Sequence, residues 1–114
     1  MNEIKALRDD LDELQHQYAM KIKQIIQSQL NKLDKEINVV CYSNDISKIT
    51  IKYKDFNFEF NYYYLNDGKL YLRGYGKTNQ HGYRYDRYSE YEQKEREKSY
   101  DYVRKILKDI LENY

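Results

Sequence analysis

The spacing of apolar residues changes once along this chain, and that change divides it into a helix and a sheet. Apolar positions in the first third are Ile4, Leu7, Leu11, Leu14, Tyr18, Ile22, Ile25, Ile26, Leu30, Leu33 and Ile37, steps that keep to one face of an α-helix. After Asn38, a plausible helix stop, the period drops to two, as half-buried strands require. Proline is absent and the first glycine is Gly68, so nothing before that point breaks an element by backbone geometry alone.

The spacing predicts a helix over 3–37 with two characters. Between Ile4 and Tyr18 the steps alternate three and four, a narrow seam of the coiled-coil kind, with Asp9, Asp10, Asp12 and Glu13 turned to water. From Tyr18 the apolar residues recur every four, so the seam rotates around the helix and the distal half is expected to pack on the sheet. A straight helix of this length spans roughly 50 Å, against roughly 35 Å for the width of a compact domain of this size. The first half should therefore overhang and bury Ile4, Leu7, Leu11 and Leu14 against a second copy of the chain or the second helix; a bent helix kept within its own fold is the plainer alternative.

Residues 38–76 read as an antiparallel sheet. Val39 to Tyr42 form a short strand, and Lys48 to Lys54 set Ile49, Ile51 and Tyr53 on one face against lysines and Thr50 on the other. After a turn at Asp55, the residues Phe56, Phe58, Phe60, Tyr62 and Tyr64 share a face opposite Asn57, Glu59, Asn61 and Tyr63. Asp67-Gly68 signals a tight hairpin into a strand from Leu70 to Tyr75, where Leu70 and Leu72 alternate with Tyr71, Arg73 and Tyr75. Residues 77–88 read as a basic, tyrosine-rich surface loop. Residues 89–114 read as a final helix opened by a capping box from Ser89 to Glu92. Its stretch Glu90 to Lys98 is expected to be a solvated helix with i,i+4 ion pairs, whereas Val103, Ile106, Leu107, Ile110 and Leu111 make a face that must be buried. The fold class is α+β, a single domain over 1–114 in the order αββββα, with a four-stranded antiparallel meander covered on one face by both helices.

Chemistry is sparsely signalled. His16, His81 and Cys41 are the only histidines and cysteine and none sits at ligand spacing from another, so neither metal site nor disulfide is expected, and no cofactor is implied. Cys41 in an apolar strand reads as a small buried hydrophobe. The run Arg73-Gly74-Tyr75-Gly76-Lys77-Thr78 imitates a phosphate-binding loop but lacks its spacing and its parallel βαβ setting. No apolar run approaches the length of a membrane span, and the acidic, amphipathic first residues are unlike a signal peptide, so a cytoplasmic protein is expected.

One stretch stands out: Tyr71, Arg73, Tyr75, Lys77, His81, Tyr83, Arg84, Tyr85, Arg87, Tyr88 and Tyr91 interleave rings with cations. Such a mixture suits a protein interface, where Tyr and Arg act as anchors, or a single-stranded nucleic-acid site, where rings stack on bases and cations hold phosphates. Packing of the rings on one another at a sheet edge is the reading without a function. The formal net charge of +1 favours the protein interface, because the basic surplus of 69–88 is offset by acidic helices on both sides. A third reading makes His81 a general acid/base with Arg73, Arg84 and Tyr85 stabilising a phosphate, as in a small metal-independent RNase, but nothing is seen to fix its tautomer. A chain rich in Tyr, Lys, Asn and Ile and devoid of Pro has the character of accessory proteins of phages and mobile elements. The expectation is thus a non-catalytic inhibitor or adaptor that docks on a protein or ribonucleoprotein complex and forms a homodimer through its first helix.

Overall fold

A computed structural model describes residues 2–74 and 90–113 of the chain. The elements are α1 (Asn2–Leu33), β1 (Asn38–Cys41), β2 (Lys48–Tyr53), β3 (Phe56–Tyr64), β4 (Leu70–Gly74) and α2 (Glu90–Glu112). The strands form one antiparallel sheet in the order β1-β2-β3-β4, with both helices on one side. This is the α+β, αββββα arrangement that the change of period predicts.

Register explains why one face of the sheet is core. Val39 pairs with Ile51 and Ile51 with Phe58; Cys41 pairs with Ile49, Ile49 with Phe60 and Phe60 with Gly74. Alternation sends these side chains to the same side, where they meet Ile26 and Leu30 of α1 and Val103, Leu107, Ile110 and Leu111 of α2. Burial of each such side chain stabilises the fold by about 1.5–3 kcal/mol. The amide of Gln27 ties α1 to β1: Nε2 donates to the Ile37 carbonyl at 2.8 Å and Oε1 accepts from the Val39 N–H at 2.8 Å.

Two local features depart from the sequence reading. The helix stops at Leu33 instead of Ile37, because the Asp34 carboxylate accepts the Glu36 N–H at 3.0 Å and offers the backbone a turn in place of another helical bond. Ile37 is still fully buried, carried into the core by the connection to β1. The Asp67-Gly68 hairpin is the tight turn that the sequence signals, three residues long, closed by Gly68 N–H to Leu65 carbonyl at 2.9 Å and Leu65 N–H to Lys69 carbonyl at 3.2 Å, with Gly68 at φ +75°. The expected solvated stretch of α2 is partly internal: Arg96 is buried, and its guanidinium lies 5.4 Å from the centre of the Phe58 ring.

Tyr100 completes the core beneath β3 and β4. It stacks on Phe60 at 5.6 Å and meets Phe58 edge-on at 5.7 Å. Its hydroxyl lies against Gly74, where a Cβ would collide with it and with the Phe60 ring. Gly74 is thus the residue that lets β4 approach α2.

Candidate binding surfaces

Two surfaces bear groups that the fold itself does not use. The first is the sheet face opposite the helices. Alternation and register place Lys48, Thr50, Lys52, Asn57, Glu59, Asn61, Tyr63, Tyr71 and Arg73 on that side, and Tyr42, just past β1, joins them through its bond to Thr50. Tyr63 and Tyr71 are directly opposed across β3 and β4, their rings stacked at 5.8 Å with an interplanar angle of 14°. They remain 45% and 37% exposed, so the pair is a ring platform open to solvent. The Tyr71 hydroxyl donates to Asp67 Oδ2 at 3.2 Å, which anchors the ring to the turn. Next in the register, Arg73 stands opposite Asn61 and Asn61 opposite Lys48.

One cation of this face is paired within it. Lys48 Nζ is 3.5 Å from Glu59 Oε1 and 4.9 Å from the centre of the Tyr42 ring, whose hydroxyl shares a 2.8 Å hydrogen bond with Thr50 Oγ1. The result is a mosaic of rings, amides and charged groups, with Lys52 and Arg73 beside the Lys48–Glu59 pair. An open cleft adjoins Tyr71 at the end of the sheet, between Tyr64, Leu70 and Leu111.

The second surface is the first half of α1. Residues 2–14 are exposed throughout, and Ile4, Leu7, Leu11 and Leu14 are 72%, 68%, 53% and 62% exposed. Its last turn is fixed by Tyr18, whose hydroxyl is 2.6 Å from that of Tyr62. From Ala19 onward the helix packs on the body, so the segment before it is an arm, and it extends the molecule to 58 Å against 32 and 30 Å across.

Of the ring-and-cation stretch read from the sequence, Tyr71 and Arg73 lie on the open sheet face. Tyr91, 73% exposed, stands at the start of α2 in the helical layer and so does not share that face. Tyr75, Lys77, His81, Tyr83, Arg84, Tyr85, Arg87 and Tyr88 lie outside the described residues, as does the Ser89 cap. The RNase reading, which depends on His81, lies there too. Sequence reasoning overlooked Tyr42, Lys48, Asn61 and Tyr63, because it followed the chain instead of crossing the strands. The hairpin held the signal: pairing the strands about Asp67 puts Tyr63 against Tyr71.

Cys41 faces the core side, and burial pushes its thiol up to about 11, which suits a packing residue rather than a nucleophile. Among the described residues no helix is long and apolar enough to cross a membrane. Comparison with protein-family models, with curated proteins and with solved structures finds no match to this chain.

Proposed function

We propose that the chain is a non-catalytic binding protein that docks a protein partner on the open face of its sheet. The observation that carries this reading is the solvent-exposed, stacked Tyr63–Tyr71 pair beside Arg73. Rings held in place by the sheet lose little side-chain freedom on binding, and Tyr and Arg are the residues most often found as interface anchors. The formal net charge of only +1 supports a protein in preference to a nucleic acid, since binding to phosphates draws on a larger basic excess. The role we propose for this docking is that of an inhibitor or adaptor acting on a larger complex.

The test is affinity capture with the full chain, identification of the bound protein, and reconstitution with that protein purified. Binding should be lost or at least tenfold weaker in Tyr71→Ala and in Tyr63→Ala, and nearly indifferent to salt. A mobility shift with single-stranded RNA or DNA that collapses with added salt and with Arg73→Ala would replace this reading with a nucleic-acid one.

A further inference from the structure

We infer that the α1 arm pairs two copies of this chain in parallel, by a short two-stranded coiled coil whose seam is Ile4, Leu7, Leu11 and Leu14. Four large aliphatic side chains, each more than half exposed on one helix face, are not left in water without consequence. Their three-four spacing makes the face self-complementary, with Ile4 and Leu11 at one core position of the heptad and Leu7 and Leu14 at the other.

The flanking charges choose both partner and direction. Glu3 and Asp10 precede the first core position, and Arg8 and Gln15 follow the second. In a parallel pair each flank residue of the first kind faces one of the second kind in the next heptad, so Glu3 meets Arg8 of the second copy, twice by symmetry, and Asp10 meets Gln15. Antiparallel pairing of the same four layers would set Arg8 against Arg8 and Asp10 against Asp10. A second copy in parallel is thus the occupant whose charges fit.

The paired stretch ends where the body begins: at about 100° per residue Tyr18 continues the line of the seam, and its hydroxyl already meets that of Tyr62, so the two helices part after Leu14. The arm is continuous with a helix already anchored to the sheet, so pairing is spared the nucleation cost that makes isolated helices of this length marginal. The pairing is independent of the sheet-face reading and would persist if that reading failed.

Sedimentation velocity of the full chain, from low micromolar to several hundred micromolar, tests the proposal. A monomer–dimer equilibrium is expected, shifted to monomer by Leu7→Asp with Leu11→Asp while the circular dichroism of the body is kept. Glu3→Arg and Arg8→Glu should each weaken the dimer several-fold, and the two together should restore it, because the charges are exchanged between copies. A chain that stays monomeric at all concentrations, or a dimer indifferent to the two aspartates, overturns the arm as the contact. A double charge exchange no better than the single ones overturns the parallel arrangement.

Discussion

The hydroxyl of Tyr62 donates to the Ile46 carbonyl at 3.1 Å and lies 2.6 Å from the hydroxyl of Tyr18, so the Tyr18 hydroxyl is the donor in that shorter bond. This relay marks where α1 leaves the body. Tyr62 is buried within the sheet's core face, whereas Tyr18 is 40% exposed at the root of the arm. Burial and the Tyr18 contact push the Tyr62 phenol well above the usual tyrosine range, so it remains a neutral donor.

Removing Tyr18's hydroxyl should cost less than removing Tyr62's. Tyr18→Phe gives up one hydrogen bond, about 1 kcal/mol, while Tyr62→Phe leaves both the Tyr18 hydroxyl and the Ile46 carbonyl short of a partner, about 2 kcal/mol. Urea unfolding of the two variants checks the order. Equal losses would show that the relay does not hold the junction.

Gly74 and Tyr100 are expected to be coupled. Gly74→Ala drives a methyl into the Tyr100 hydroxyl and the Phe60 ring, an overpacking that costs about 1–3 kcal/mol. In Tyr100→Phe the atom in closest conflict is gone, so the double variant should lose less than the sum of the single losses. Strict additivity in a double-mutant cycle would mean that the strand moves aside instead.

Gln27 bonds both to the last residue before β1 and to β1 itself. Gln27→Leu keeps the bulk but leaves the Ile37 carbonyl and the Val39 N–H without this partner, with an expected loss of about 2–3 kcal/mol. Amide hydrogen exchange should report the loss first at Val39. Unchanged protection there would contradict the role given to this side chain.

Stability should fall in alkali. Burial raises the Cys41 thiol to about 11 in the folded chain, against roughly 8.5 unfolded, so above the unfolded value the folded state binds more protons and rising pH favours unfolding until the folded value is passed. Tyr62 and Tyr53, both raised chiefly by burial, add losses of the same sign from about pH 10 upward. Urea midpoints should hold between neutrality and about pH 8.5 and decline beyond it. Replacing Cys41 by Ala should lower stability at neutral pH but flatten the first part of that decline.

Much of the fold was legible because burial here follows period. The change of spacing at Asn38, the strict alternation from Phe56 to Tyr62 and the Asp67-Gly68 turn specify helix, core strand and hairpin without reference to contacts. Tyrosine was harder to place, since its ring suits a core and its hydroxyl suits a surface. Tyr62 and Tyr100 go inside, where neighbouring groups accept their rings, whereas Tyr63 and Tyr71 stay out and stack. Arg96 was read as solvated because its charge conceals a stem long enough to lie along Phe58. The open-face patch spans three strands, so no window along the chain contains it.

The most direct test of the account is the affinity of the captured partner for the wild-type chain and for Tyr63→Ala with Tyr71→Ala, measured by calorimetry at low and at moderate salt. Docking on the open sheet face requires a loss of more than tenfold in the double variant with its fold intact, and only a small dependence on salt in the wild type. Undiminished binding by the double variant, or an affinity that drops steeply as salt is added, would contradict it.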